Sequence, residues 1–186
     1  IVVVAVLAVF RIPYADYLQG SSMLTLMLSP VTAVLALNVY NQRRLLGEYF
    51  LPVIVGCLVG TLTSVGSVLL LCKLMAVNSS MTSALLPKSV TTAIAIAISE
   101  NLGGIPGVTA AAVVIAGVVG AIFAPTFAKL FRITDPVAEG VAIGACSHAV
   151  GTSKALEIGP LQGAMSSIAL CVCGIITSIL AMFFTA

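Results

Sequence analysis

GVAIGACSHAVGTSKALEIG, residues 140–159, is the stretch on which the reading of this chain turns. It contains the only histidine, His148, in a sequence poor in ionisable groups. Apolar runs over 108–128 and 161–184 flank it, each long enough to cross a bilayer. In a helix Gly140, Gly144, His148 and Thr152 recur every fourth residue and form one row. Two glycines that admit a neighbouring backbone are thus followed by an imidazole and a hydroxyl, an arrangement expected of a site.

Composition fixes the class. Of 186 residues, 60% are hydrophobic and 8% charged, with a mean hydropathy of +1.22. That leaves too little polar surface to clothe a soluble globule. Backbone groups in hydrocarbon must be satisfied internally, and the runs lack the alternating dyads of barrel strands. The fold expected is all-α, a polytopic transmembrane helix bundle forming one transmembrane domain over residues 1–186. The first apolar run ends by Phe10, so the first helix is expected to be truncated.

The net charge of +2 and the lack of a basic cluster interleaved with aromatics give no reason to expect nucleic acid as a partner. Cys57, Cys72, Cys146, Cys171 and Cys173 mostly sit in apolar runs and read as packing residues. Cys171 and Cys173 point to different helix faces, so no metal site is expected.

Along the chain, Arg11, Pro13 and the polar turn 16–22 close the first span. Ser29-Pro30 restarts a helix inside the shorter apolar stretch 23–40. A basic loop over 41–48 carries Arg43 and Arg44. Residues 51–72 form an uninterrupted span with Gly56 and Gly60 at small-xxx-small spacing, continued by Thr61, Ser64 and Ser67. A turn is expected at 78–82, then a short segment, 85–99, interrupted by Pro87-Lys88-Ser89. Gly103, Gly104 and Pro106 make 100–107 a loop. After the span 108–128, closed by Lys129 and Arg132, Asp135-Pro136 starts a helix with Glu139 in its first turn.

Short and long segments therefore alternate, with interruptions near Pro30, Pro87 and His148. SPVTAVLAL (29–37) echoes KSVTTAIAI (88–96). Weak internal repeats with paired broken segments are what secondary transporters display, although apolar helices also resemble one another by composition. The positive-inside rule prefers Arg43/Arg44 and Lys129/Arg132 on one side, the cytoplasm. That requires one intervening segment to be re-entrant, and 85–99 is the natural choice.

A half-helix beginning inside the membrane aims free N–H groups at an anion. Lys88, Ser89, Thr91 and Thr92 would supply half of a small-carboxylate site, and Ser147, His148 and Thr152 the other half. His148, an imidazole that titrates near neutrality, would carry a proton with the substrate; otherwise no cofactor is expected, and coupling to H+ or Na+ is open. Lys88 could equally snorkel to an interface, and the hydroxyls could merely bond across helices. Lys154 and Glu157 read either as an ion pair at a helix end or as an entrance. No nucleophile elbow, phosphate loop or metal-ligand cluster points to an enzyme.

Four ordered motifs carry a resemblance: PKSVTT (87–92), LGGIP (102–106), DPVAEG (135–140) and SHAVGTSKALE (147–157). With IPY (12–14) and QRRLL (42–46), they make the chain similar, essentially end to end, to the LrgB/CidB family. That family includes the membrane domain of the plastidic glycolate/glycerate translocator. The resemblance implies a multi-pass protein of the bacterial inner membrane, often acting beside a small LrgA/CidA-type partner. Family members are described as holin- or antiholin-like regulators of murein hydrolases and autolysis, and are also linked to pyruvate and other small carboxylates. Against the family pattern, Asn38 and Ala93 stand where prolines are expected, which makes both candidate gating positions with straighter helices.

The expected function is secondary, alternating-access transport of a small monocarboxylate such as glycolate, glycerate, pyruvate or lactate, by a protein expected to be a homo-oligomer. The competing reading is a holin/antiholin-like pore or regulator of cell lysis.

Overall fold

The computed structural model describes residues 40–184 continuously and ten isolated positions between Leu7 and Leu37. The chain divides into two compact units, Ile1–Leu35 and Ala36–Ala186. In the first, the N–H groups of Asp16 and Tyr17 donate to the Pro13 carbonyl, a helical turn opened by proline. The stretches expected at 1–10 and 23–39, including Ser29-Pro30 and Asn38, lie otherwise outside the described residues.

The second unit contains α1 (Arg43–Glu48), α2 (Phe50–Leu74), α3 (Ser79–Leu85), α4 (Thr92–Asn101), α5 (Pro106–Leu130), α6 (Pro136–Ile158) and α7 (Pro160–Met182). No strand occurs among the described residues. Three helices, α2, α5 and α7, are long and apolar enough to cross a membrane. The protein is an all-helical membrane protein.

Local signals explain the boundaries. Asp135 accepts from the N–H groups of Val137 and Ala138 with Pro136 in the first turn, a strong helix start. α2, α4 and α5 each end in a Schellman turn: Val77 N–H donates to Cys72, Gly104 to Ser99 and Ile133 to Ala128. The left-handed position of that turn is filled by Ala76, Gly103 and Arg132 respectively, and only the glycine occupies it without steric cost.

α6 does not run straight. His148 has φ 40° and ψ −140°, and the chain folds back there. A Cβ on Gly151 would lie 3.1 Å from Ile143 Cγ2, whereas residues eight apart in a straight helix are separated by about 12 Å. Gly140 abuts Gln162 and Gly144 abuts Ser166, so leg 136–147 runs parallel to α7. Leg 149–158 runs antiparallel, with Leu156 against Gly163 and Thr152 bonded to Ser166.

The segment before α5 folds back too. Gly104, beyond α4, abuts Ser83 and Ala84 of α3, and Leu86 and Leu102 both pack with Val65, Val68 and Cys72 of α2. Its tip, residues 87–91, reaches Ser64, near the middle of α2.

The core joins α2, α6 and α7 through Val53, Cys57, Val141, Ala145, Met165, Ile168 and Cys173. Gly56 and Gly60 of α2 receive Val141 and Ala145 at ordinary contact distance. Small residues matter here because in lipid close backbone packing, rather than water exclusion, holds helices together. The carboxylate of Glu48, and behind it that of Asp135, pushes the Tyr49 phenol above its usual range. The starts of α2 and α6 therefore share one end of the bundle.

Four expectations are corrected. Residues 78–82 are not a turn: Asn78 caps α3 by accepting from Met81 N–H at 2.8 Å. The basic loop 41–48 contains α1. The loop 100–107 is shorter, because α4 continues to Asn101 and Pro106 already opens α5. Gly140, Gly144, His148 and Thr152 do not form one row, because the reversal at His148 turns its ring toward α5 while the other three face α7.

Candidate functional site

The two folded-back segments converge on α5. His148 is buried, and its Nε2 lies 2.7 Å from the Val113 carbonyl oxygen. A carbonyl only accepts, so Nε2 carries the proton. Gly117, one turn further along α5, leaves the notch in which the ring sits, since a Cβ there would strike His148 Cε1 and Nε2. Ser147 fills the corresponding notch at Gly120. From the other side, Val90 and Ala95 pack against the Val113 side chain. One residue of α5 thus meets the tip of each segment.

At the first tip, Lys88 is half-buried and donates from Nζ to Ser64 Oγ at 3.3 Å. Ser64 Oγ is in turn 2.6 Å from Ser89 Oγ. α4 begins at Thr92, the last residue of the stretch 87–92 expected to supply a helix start: residues 86–89 turn, and Thr91 takes the extended conformation of an N-cap. The Thr91 hydroxyl makes no cap bond and is buried without a hydrogen-bond partner. A buried hydroxyl left unpaired is costly, and the N–H groups of the first turn beside it also lack intrahelical partners. Thr92 and Ala93 are half-buried in that turn.

At the second tip, Thr152 Oγ1 donates to the His148 carbonyl at 2.9 Å and meets Ser166 Oγ at 2.9 Å. Val113 touches His148 on one side and Val90 on the other, so both tips pack on the same residue of α5. Of the expected residues, Lys88, Ser89, Thr91 and Thr92 belong to the first tip and Ser147, His148 and Thr152 to the second. Lys154 and Glu157 form an exposed ion pair of 2.7 Å on the outer leg of α6. Asn38 lies outside the described residues.

Ser64, Val113, Gly117, Gly120 and Ser166 complete the site and were not singled out as functional. The glycines and Ser64 had a signal, small residues recurring in apolar spans. Val113 contributes a backbone oxygen, which no side-chain pattern reveals. Among the described residues no group of three or more His, Cys, Asp or Glu is placed to hold a metal.

The family model described as LrgB-like matches residues 1–186. The chain belongs to the LrgB-like family. YxaC of Bacillus subtilis (strain 168) is 37% identical over 178 residues, covering 96% of this chain and 77% of that protein. YwbG of the same strain is 35% identical over 182 residues, covering 98% and 81%. The antiholin-like protein LrgB of Bacillus cereus (strain B4264) is 34% identical over 178 residues, covering 96% and 77%. No solved structure matches this LrgB-like chain.

Proposed function

We propose that this chain is an antiholin-like protein of the bacterial inner membrane, restraining murein hydrolase activity and lysis, beside a small LrgA/CidA-type partner. Its support is the name carried by relatives 34% identical over 96% of the chain. Deleting the gene should accelerate autolysis, and restoring the chain should reverse this. Unchanged lysis after deletion would remove the reading.

A second reading, secondary transport of a small monocarboxylate (glycolate, glycerate, pyruvate or lactate), has its own supporting observation. The uncapped start of α4, with the unpaired Thr91 hydroxyl and the Lys88 cation beside it, lies at mid-bundle opposite the broken α6. An unpaired helix start and a cation suit a carboxylate. In this reading both folded-back segments are re-entrant hairpins entering from opposite faces. α2 with α3–α4 and α5 with α6 then make two inverted repeats: each is a 25-residue helix followed by a hairpin. Ser64 meets Ser89 in the first, and Gly120 meets Ser147 in the second. Rocking one repeat against the other would expose the tips alternately.

The two readings are compatible, since a carboxylate flux could be what governs lysis. Purified protein in proteoliposomes should take up labelled glycolate or pyruvate saturably, with loss in Lys88→Ala and His148→Ala. Non-saturable leakage of unrelated solutes would instead support a pore, and no flux would leave the antiholin-like role without transport.

A further inference from the structure

A backbone carbonyl has two lone pairs. Within the helical ladder of α5 one lone pair of the Val113 oxygen serves the N–H of Gly117, one turn on. His148 Nε2–H, at 2.7 Å, takes the other. The same Gly117 leaves the room that the ring fills, since a Cβ there would meet Cε1 and Nε2. Acceptor and notch together fix both the place of the buried imidazole and its tautomer, with the proton on Nε2.

That proton has no onward path. A relay needs a partner that takes the proton and passes it on, whereas a backbone carbonyl only accepts a hydrogen bond. A second proton, on Nδ1, would make an imidazolium in mid-bundle without a counter-ion. Glu48, Glu100, Asp135, Glu139 and Glu157 all stand at or near helix ends. α5 has no ionisable side chain before Lys129, and α7 has only Cys171 and Cys173. The first tip adds Lys88, of like sign, and α6 itself adds Cys146 beside the reversal. An unpaired charge inside a membrane is expensive.

What the ring does hold is the fold-back. His148 stands at its apex with φ 40°, and Ser147 beside it fills the notch at Gly120. We propose that His148 is a positioning residue: through Val113 it pins the apex of α6 to α5 and sets where the second tip stands, and it carries no coupling proton. Its part in uptake rests on the transport reading; the pinning of the apex does not. A proton gradient that drives uptake is then coupled elsewhere in the chain.

His148 is the only histidine in the sequence, so isotopic labelling of histidine nitrogen, read by NMR on protein purified in detergent without a histidine tag, reports one imidazole. It should show the Nε2–H tautomer, unchanged from about pH 5 to about pH 8. A proton on Nδ1, alone or gained within that range, would overturn the proposal. His148→Gln keeps a neutral N–H donor and has nothing to titrate. In proteoliposomes His148→Ala should lower uptake roughly tenfold, and His148→Gln should recover to within about threefold of wild type. The glutamine variant should also keep the wild-type response to pH and to an imposed proton gradient. Loss of that response, or a loss of uptake as deep as in alanine, would mean that the imidazole itself is needed. Absence of saturable uptake in the wild type ends the transport reading alone. The tautomer and the order of unfolding temperatures, glutamine above alanine, then decide whether His148 pins the apex, and the reverse order would overturn it.

Discussion

His148 donates from Nε2 to the Val113 carbonyl oxygen at 2.7 Å, while the side chain of the same Val113 packs against Val90 and Ala95 of the other folded-back segment. The bond holds a backbone conformation that a non-glycine residue rarely adopts, φ 40° and ψ −140°. Such a conformation costs on the order of 1–3 kcal/mol and persists only where its surroundings impose it. His148→Ala removes the bond and keeps the strain, and should destabilise the protein by about 1–3 kcal/mol. His148→Gly removes both, and should unfold in detergent at a higher temperature than the alanine variant. Thermal unfolding of the two variants side by side checks the order; alanine at or above glycine would mean the reversal is unstrained.

The glycines divide into those that carry a contact and those that do not. A Cβ at Gly144 would strike the backbone of Ser166, while a Cβ at Gly66 would meet nothing within 4 Å. Gly144→Ala must push leg 136–147 off α7 and should cost about 1–3 kcal/mol or more. Gly66→Ala only removes backbone freedom and should be neutral or stabilising by up to about 1 kcal/mol. Unfolding midpoints moving in opposite directions are the expected result.

Much of this was legible in the sequence, for reasons that are local. The spans α2, α5 and α7 announce themselves by length and hydropathy, and Asp135-Pro136-x-x-Glu139 starts α6 with capping chemistry that needs no tertiary context. What could not be read is long-range. The reversal at His148 depends on Gly117 and Gly120, about 30 residues earlier, which leave notches for His148 and Ser147. The half-helix expected to start within 87–92 does so only at its last residue. The turn that follows Leu86 defers the helix to Thr92. The turn expected at 78–82 is a helix start instead, because asparagine, a common turn residue, also caps helices.

The proximity of the two tips is open to chemical trapping. Lys88 and Cys146 are 58 positions apart in sequence, on segments whose tips both pack on Val113. In Lys88→Cys, mild oxidation with copper phenanthroline should join position 88 to Cys146, detected by mass spectrometry of the linking peptide. A link to Cys171 instead, or none, would mean that the tips do not face each other.

Ala76 occupies the left-handed position of the turn ending α2, at φ 51°. The equivalent residue after α4 is Gly103, at φ 71°. An L side chain there is disfavoured by about 1–2 kcal/mol, and a glycine relieves it. Ala76→Gly should therefore raise stability by roughly 1 kcal/mol, an unusual sign for a glycine substitution. Unfolding in detergent measures it, and a loss of stability would show that the alanine methyl makes a contact worth more than the strain.

The two folded-back segments also dictate which termini of the helices share a face. α2 leaves the end marked by Arg43 and Arg44, the segment α3–α4 returns to the end it entered from, and α5 then comes back with Lys129 and Arg132 at its close. The four basic residues thus share one end, and Glu100, exposed near the close of α4, belongs to the opposite one. Because cytoplasmic flanks are enriched in lysine and arginine, Glu100→Cys should react with a membrane-impermeant maleimide added outside intact cells. Arg43→Cys and Arg132→Cys should both react only after the membrane is opened. Had α3–α4 crossed the bilayer, positions 43 and 132 would label from opposite sides, so that pattern would mean that this segment spans the membrane instead of turning back at Lys88.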